Sequence, residues 1–331
     1  MMPFLRQIAL QIPPIKRLYD SRAEAVTRAE LAEVARAEIF HKLGMEQATA
    51  ASETALADNA EAQRIAAHRQ AQAAIASMLN NATPGSFVHI ALNGAPLDVP
   101  VETLRTMFHC IHFRSDGKLD LWVETMHLNW MMDRLAPGGT FLDVGASTGA
   151  TALPTARRFG PDVRVIAYEP ATDARGLLES AVARNGLSHV DVRPFAVSDT
   201  PGEAEFREYL PDETGQTPWM PEASSLVATV MPDLPSRMVR VRVVTLDEQM
   251  AEANGFGGPV VVKIDVEGFE SFVLRGSSKL IAQCRPFFSI DIHGDPFAGD
   301  GTSTEAAVRA ILEPAGYSFE NMGHVLLCTP G

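Results

Sequence analysis

The chain has 331 residues, of which 46% are hydrophobic and 21% are charged, and its formal net charge is −13 at pH 7. These fractions are ordinary for a globular protein, and the negative charge argues against broad nucleic-acid binding, which requires a basic surface. The three cysteines lack the spacing of a metal site or a disulfide framework, which indicates a reducing compartment, and we expect a cytoplasmic protein.

The first 85 residues differ in composition from the rest of the chain. Residues 20–79 are rich in Ala, Glu, Arg and Gln, which predicts helices, but large apolar residues are too sparse for a sustained heptad. We therefore predict an N-terminal helical extension over residues 1–85 that serves self-association into a homo-oligomer or docking of a partner. No run is apolar enough to span a bilayer. Residues 1–18 could touch a membrane surface, although packing on the protein itself is the favoured alternative.

Residues 86–331 are predicted to form one α/β domain, because strand and helix patterns alternate as they do in a parallel sheet covered on both faces. A strand is predicted at residues 87–92 and a helix at 121–135. The core strands are predicted at residues 140–144, 163–168, 190–195, 260–264 and 287–292, and the helices near 150–159, 174–185, 269–274 and 304–315. Two final strands, at 317–321 and 324–328, are joined by a short turn and must be antiparallel.

The predicted fold class is therefore a Rossmann-like α/β domain with a mostly parallel seven-stranded sheet and an antiparallel last strand. A proline-rich segment at about residues 201–245 interrupts the alternation, with a strand-like stretch at 239–244. Insertions at the ligand-bearing end of such sheets often cover a site, so we interpret this segment as a lid.

A glycine turn follows the first core strand. The sequence from Phe141 to Ala150 is F-L-D-V-G-A-S-T-G-A, and the next strand ends in Glu169. Such a turn brings the backbone close to a nucleotide-like ligand, and an acid at the end of the second strand can accept both hydroxyls of a ribose. The loop lacks the middle glycine of dinucleotide sites. Asp143 would attract a cationic amino-acid group but repel a pyrophosphate. The turn therefore favours S-adenosylmethionine over a nicotinamide cofactor.

A second motif, K-I-D-V-E-G-F-E, follows the fourth core strand at residues 263–270. With the D-V-G-A-S-T-G loop and Y-E-P at 168–170, it resembles the FkbM-type methyltransferases, and the resemblance extends from about Asp120 to the C-terminus. Flanking stretches V-T-L-D and V-L-R-G strengthen it. The resemblance implies a class I methyltransferase fold and S-adenosylmethionine as the cofactor. The chain departs from the family pattern at Ser147, where Asn is frequent, and at Asp291, where Glu is frequent.

The resemblance also implies roles for the residues that match the family's motifs. The implied cofactor-binding residues are Asp143, Gly145, Ala146 and Gly149 at the methionine end, Glu169 at the ribose, and Ser198 and Asp199 on the adenine side. Glu124 matches a glutamate that precedes the first core strand in the family, and we group it with the acceptor-binding candidates.

Asp265 ends the fourth core strand and His293 ends the fifth. The carboxyl ends of such strands face the ligand crevice, so both residues are predicted to lie beside the transferable methyl group. We predict His293 as the general base because an imidazole titrates near neutral pH, with Asp265 orienting the acceptor or acting as the base itself. Glu267 and Asp291 are candidate acceptor-binding residues. These four side chains could also bind a hard divalent ion, but nothing determines a ligand count, and a metal-free site is the prediction.

The sequence therefore predicts an S-adenosylmethionine-dependent methyltransferase. The family resemblance implies O-methylation of a sugar, glycan or polyketide-like hydroxyl. N-methylation and a nicotinamide-dependent reaction on the same type of sheet are alternatives within enzymes. A non-catalytic cofactor-binding or scaffold module is the alternative outside them, and the complete set of acids in the K-I-D-V-E-G motif argues against it.

Overall fold

The computed structural model of the chain describes residues 70, 72–107, 110–113, 119–122, 124–210, 221, 224–226, 234–294 and 303–331. The chain divides into two units, residues 1–81 and residues 82–331. In the first unit, residues 72–81 are helical. The rest of the predicted helical extension, including residues 1–18, lies outside the described residues. Within the described part of the chain, no helix has both the length and the hydrophobicity needed to cross a membrane.

A small four-stranded sheet begins the second unit, and β1 is the strand of this sheet that the sequence predicted. Its strands are β1 (Phe87–Leu92), β2 (Ala95–Pro100), β3 (Ile111–Phe113) and β4 (Leu119–Leu121), in the order β2-β1-β4-β3. The turn between β1 and β2 is Asn93-Gly94, and both residues have positive φ. Asn-Gly is the preferred pair for a tight turn of this hand, so the hairpin follows from local chemistry. Helix α1 (Val101–Thr106) follows β2.

The predicted seven-stranded sheet forms the centre of the second unit. Its strands are β5 (Thr140–Val144), β6 (Arg164–Tyr168), β7 (Val190–Arg193), β11 (Val260–Ile264), β12 (Phe287–Asp291), β13 (Tyr317–Met322) and β14 (Val325–Pro330), in the order β13-β14-β12-β11-β5-β6-β7. From β12 to β7 every pairing is parallel, and β14 is antiparallel to both of its neighbours. Strands β5 and β11 are buried along their whole length, as expected when helices cover both faces of a sheet. The predicted fold class is confirmed.

Seven α-helices accompany the sheet in the described part of the second unit after β4. They are α2 (Thr125–Met132), α3 (Ala152–Phe159), α4 (Thr172–Arg184), α5 (Leu246–Glu252), α6 (Glu270–Arg275), α7 (Ser278–Cys284) and α8 (Glu305–Leu312). The sequence did not predict α5, although it carries a recognisable start. The Thr245 hydroxyl accepts the Glu248 N–H at 3.1 Å, and the Glu248 carboxylate accepts the Thr245 N–H at 3.3 Å. This capping box satisfies two amides at the helix start.

The third core strand is shorter than predicted. The prediction was one strand over residues 190–195, whereas β7 ends at Arg193 and a separate strand β8 (Phe195–Val197) joins another sheet. Pro194 lies between them and has no N–H to donate, so the strand cannot continue in the same ladder. Strands β9 (Gly202–Tyr209) and β10 (Ser236–Val244) form an antiparallel ribbon inside the predicted insertion, and the sheet order is β8-β10-β9.

Candidate functional site

A cleft lies at the carboxyl ends of β5 and β6. It measures about 580 Å³, including space that opens to solvent. Its lining includes Gly145, Ser147, Tyr168, Glu169, Phe195, Phe206, Leu226, Asp265, Val266 and Phe269. Most of these side chains are apolar or aromatic, and Glu169 and Asp265 are the two acids among the described residues of the lining. The cleft is therefore an apolar slot with carboxylates at defined points.

The loop after β5 contacts both of the strand ends that carry these acids, the end of β6 and the end of β11. The N–H groups of Gly145 and Ala146 both donate to the carbonyl oxygen of Tyr168, at 3.0 and 3.1 Å. Gly145 has a φ of +82°, and a Cβ at this position would lie 1.8 Å from the carbonyl oxygen of Asp265. Only glycine allows this approach, because any side chain would displace the loop after β11.

Glu169 is anchored by the backbone of the same loop. Its Oε2 accepts the N–H of Ser147 at 2.7 Å, and its Oε1 accepts the N–H of Ala171 at 2.7 Å. Burial raises the pKa of Glu169 to about 7, although the two amides oppose the shift. A carboxylate oxygen accepts two hydrogen bonds, so each oxygen retains one acceptor position for a ligand hydroxyl.

Asp143 lies outside the lining of the cleft and is fully buried. Its Oδ2 accepts the Thr151 hydroxyl at 2.5 Å, and its Oδ1 has no hydrogen-bond partner among the described residues. Burial raises the pKa of Asp143, against the opposing effect of Lys263. Lys263, on β11, is itself buried and was missed as a site residue. A single lysine within the apolar run V-V-V-K-I was the available signal, since buried lysines almost always have charged partners.

Four other residues that the resemblance implied for the cofactor do not line the cleft. Ala146 is buried within the loop, and Gly149 packs against α4, where a Cβ would lie 2.5 Å from a leucine side chain. Ser198 and Asp199 follow β8, and Asp199 Oδ2 accepts from the Arg275 guanidinium at 3.2 Å. The cleft wall on this side is formed by β8 itself. The roles of all four residues stay predictions.

An acidic cluster surrounds His293 beside the cleft. Its Nε2 lies 3.8 Å from Asp265 Oδ1, 3.6 Å from Glu267 Oε2 and 3.8 Å from Asp291 Oδ1. On the opposite side of the ring, Nδ1 lies 2.8 Å from Oε1 of Glu270, which is fully buried. Segments that are far apart in sequence thus bring together His293, the predicted base, and Asp265, the alternative base. The two candidate acceptor-binding acids, Glu267 and Asp291, lie beside them. Glu270, which opens α6, was not predicted as a site residue.

The carboxylates determine the charge of His293. Burial would lower the pKa of His293, but Glu267 and Asp291 outweigh it and hold the pKa well above its ordinary value. Burial raises the pKa of Glu267 to about 7 and also raises the pKa of Asp265. For Asp291, burial is outweighed by His293 and His324, and its pKa is lowered. Because its pKa is raised in this way, His293 is an imidazolium at neutral pH, which disfavours it as a proton acceptor.

Glu124 reaches the cluster through Lys263. It precedes the first residue of α2, and its Oε2 lies 3.6 Å from Lys263 Nζ and 3.5 Å from His127 Nε2. Burial would raise the pKa of Glu124, but Lys263 and His127 lower it to about 2. Lys263 also donates to Asp265 Oδ2 at 3.0 Å. Glu124 is therefore a permanent anion that helps to hold the lysine beside Asp265.

The family model of the FkbM methyltransferase domain matches residues 143–319, which is more than half of the chain. The matched region begins at Asp143 and contains the loop after β5, Glu169 and the whole acidic cluster. The match confirms the resemblance and the predicted cofactor, S-adenosylmethionine. A comparison with curated protein sequences finds no match.

Several solved structures overlap with this fold. A methyltransferase FkbM from Methylobacillus flagellatus KT is 16% identical at a TM-score of 0.38, over 62% of this chain and 50% of that one. An O-methyltransferase from Thermotoga maritima, described as dependent on S-adenosylmethionine, is 11% identical at a TM-score of 0.33, over 75% and 86%. A methyltransferase from Aquifex aeolicus with the same described dependence is 16% identical at a TM-score of 0.32, over 59% and 81%. The chain thus spans half the length of the first of these structures.

Proposed function

Because this chain belongs to the FkbM methyltransferase family, we propose that it is an S-adenosylmethionine-dependent O-methyltransferase. The proposed acceptor is a hydroxyl group of a sugar, glycan or polyketide-like molecule. The observation that carries the proposal is the carboxylate of Asp265, which lines the cleft and also belongs to the cluster around His293. A hydroxyl must lose its proton during methylation, and a carboxylate in this position can accept it, whereas a neutral amine needs no base to react.

The cleft residues fit S-adenosylmethionine, which supplies an electrophilic methyl group when bound. Glu169 keeps an acceptor position on each carboxylate oxygen, which suits the two hydroxyls of a ribose. Phe195 and Phe206 line the cleft and suit the flat face of an adenine. We assign Asp143 an indirect role, because its unpartnered Oδ1 places negative charge beneath the loop without reaching the lining. The fit therefore rests chiefly on Glu169.

Asp265 is the proposed proton acceptor. Burial raises the pKa of Asp265, so this carboxylate is a stronger base than an exposed aspartate. His293 was the base that the sequence favoured, and we now assign it the role of balancing the charges of Asp265 and Glu267. Glu267 and Asp291 are proposed to accept hydrogen bonds from other hydroxyls of the acceptor. An acceptor with several hydroxyl groups, such as a sugar, satisfies more of these carboxylates than an apolar amine does.

A transfer assay tests this proposal. The full-length protein is incubated with donor labelled on the methyl group and with pools of glycans and polyhydroxylated small molecules. Mass spectrometry of the products then locates the label. We expect methyl ethers, and we expect their formation to fall sharply in Asp265→Asn but not in Glu203→Gln, which removes an exposed acid paired with Arg240. Label on nitrogen would overturn the acceptor class, and full activity of Asp265→Asn would overturn the proposed base.

The N-terminal extension, residues 1–85, is proposed to mediate self-association, and the cytoplasm is the proposed compartment on the basis of cysteine spacing. Light scattering of the full chain and of a chain that begins at residue 70 measures the oligomeric state directly. We expect a smaller assembly for the shortened chain. Equal assembly numbers for the two chains would contradict the proposed role of the extension.

A further inference from the structure

The cluster around His293 has three carboxylate oxygens that face one imidazole nitrogen without bonding to it. The oxygens of Asp265, Glu267 and Asp291 lie 3.6–3.8 Å from Nε2, which is beyond hydrogen-bonding distance. His293 is 9% exposed, and the three acids are 11–21% exposed. Because so little water reaches these groups, the carboxylates need a cationic partner inside the cluster, which is either the protonated ring of His293 or an ion that replaces its Nε2 proton.

Two of the carboxylates are held from outside by their other oxygen. Asp265 Oδ2 accepts from Lys263 Nζ at 3.0 Å, and Asp291 Oδ2 lies 3.3 Å from His324 Nε2. These contacts leave Oδ1 of each residue facing His293. The inner face of the cluster therefore presents Oδ1 of two anchored carboxylates, and Oδ1 of Asp291 is the one that is buried without a hydrogen-bond partner among the described residues.

The orientation of the imidazole is held by Glu270. Its Oε1 lies 2.8 Å from His293 Nδ1 and also accepts the Gly268 N–H at 2.9 Å, and its Oε2 accepts the Thr304 hydroxyl at 3.0 Å. Glu270 is fully buried, so the ring it holds cannot turn easily. A carboxylate that binds Nδ1 points Nε2 into the cluster, and the same arrangement orients the imidazole ligands of metal ions.

We propose that Asp265, Glu267 and His293 bind a divalent cation of the Mn²⁺ or Mg²⁺ class, with Oδ1 of Asp291 beside it. One ligand atom from each of the three residues lies within 4.8 Å of the other two. Two atoms that each lie about 2.2 Å from an ion are about 3.1 Å apart when adjacent and about 4.4 Å apart when opposite. The distances of 3.6–3.8 Å fall between these limits. This site departs from the metal-free site expected from the sequence.

The ligand set points to the type of ion. Carboxylate oxygens suit Mg²⁺ and Mn²⁺, and a single imidazole among them favours Mn²⁺ over Mg²⁺. Asp265 lines the cleft, so an ion bound here lies at its edge. There it can hold the acceptor oxygen and stabilise its negative charge while Oδ2 of Asp265 takes the proton, a role that rests on the proposed function. The binding of the ion itself does not rest on it.

Electron paramagnetic resonance of the full-length protein with Mn²⁺ tests the site without any acceptor. We expect one tightly bound Mn²⁺ per chain, displaced by excess Mg²⁺. Electron spin echo modulation should show a nitrogen coupled to the bound Mn²⁺, because the ion displaces the proton of His293 Nε2 and binds this nitrogen as a ligand. With a net charge of −13 the protein also attracts Mn²⁺ diffusely, but diffuse binding gives no nitrogen coupling.

Matched variants complete the test. Glu267→Gln should weaken Mn²⁺ binding at least tenfold, and His293→Gln should abolish the nitrogen coupling. Glu203→Gln removes the same charge as Glu267→Gln from a side chain that is 69% exposed, and it should bind Mn²⁺ as the wild type does. Binding of S-adenosylhomocysteine to each variant checks that it is folded.

Wild-type protein without a stoichiometric Mn²⁺, or with bound Mn²⁺ that lacks nitrogen coupling, would overturn the proposed ion. So would equal Mn²⁺ affinities for folded Glu267→Gln and Glu203→Gln. If a cluster variant fails to fold, the nitrogen coupling of the wild type alone decides. Methyl transfer that persists in a metal-free buffer would exclude a role of the ion in the reaction while leaving the proposed function intact. The two failures are therefore distinguishable.

Discussion

Donor binding should depend on pH through Glu169. Its pKa is raised to about 7 by burial in the free protein. In the proposed complex, the hydroxyls of the ribose donate to the carboxylate and therefore favour its ionised form. The bound complex should have a lower pKa for this group, so binding releases a proton below pH 7. By linkage, the affinity for S-adenosylhomocysteine rises as the pH rises through 7.

The magnitude follows from the fraction of free protein in which Glu169 is ionised. With a pKa of about 7, roughly one tenth of the molecules are ionised at pH 6 and about nine tenths at pH 8. The dissociation constant for S-adenosylhomocysteine should therefore be about tenfold larger at pH 6 than at pH 8. At pH 6, about 0.9 proton should be released for each ligand bound.

Calorimetry measures both quantities. Titrations at pH 6 and pH 8, each in two buffers of different ionisation enthalpy, give the affinity and the number of protons released. Glu169→Gln should bind more weakly and lose the pH dependence, whereas Glu203→Gln should keep both properties of the wild type. A wild-type affinity that is constant from pH 6 to pH 8, or a pH dependence that survives in Glu169→Gln, would refute the reasoning.

Three further changes probe the loop, the base and a helix start. Gly145→Ala should lower the free energy of unfolding by at least about 2 kcal/mol, because its Cβ would strike the carbonyl of Asp265. The control is Gly186→Ala, because Gly186 has a φ of +66° and no described atom within 4 Å of a Cβ at this position. It should lower the free energy of unfolding by about 1 kcal/mol. Equal losses of unfolding free energy for the two variants in denaturant titrations would contradict the steric argument. Asp265→Asn should reduce turnover by roughly two to four orders of magnitude in the labelled-donor assay, and a loss below tenfold would exclude it as the base. Thr245→Ala should lower the free energy of unfolding by about 1 kcal/mol by removing the cap of α5, and unchanged stability would show that the capping box contributes little.

The central strands were predictable because their residues carry the signal locally. Strands β5 and β11 match the predicted ranges to the residue, since a fully buried strand is a continuous apolar run bounded by turn residues. The glycine turn and Glu169 were predictable for the same reason. The residue type at the end of each strand determines which ligand groups that strand end can contact. The order of residues along the chain determines which residue stands there.

Contacts between segments that are distant in sequence could not be predicted from the residues of either segment. Asp265 and His293 are 28 positions apart, and their meeting depends on β11 and β12 being neighbours in the sheet. The contacts of Lys263 with Glu124 and Asp265 likewise join separate elements. Asp199 was assigned to the cofactor from its motif, and its contact with Arg275, at the end of α6, could not be predicted from that motif.

The sequence by itself determined the sheet, the glycine turn, the family and the types of residue at the strand ends. Only the tertiary structure decided the charge that each of those residues carries. The pKa of Glu169 and the charge of His293 depend on burial and on the distances to neighbouring carboxylates. Electrostatic interactions in a protein scale with the separation of the groups and with their exposure to water, and neither quantity is a property of the residue's own segment.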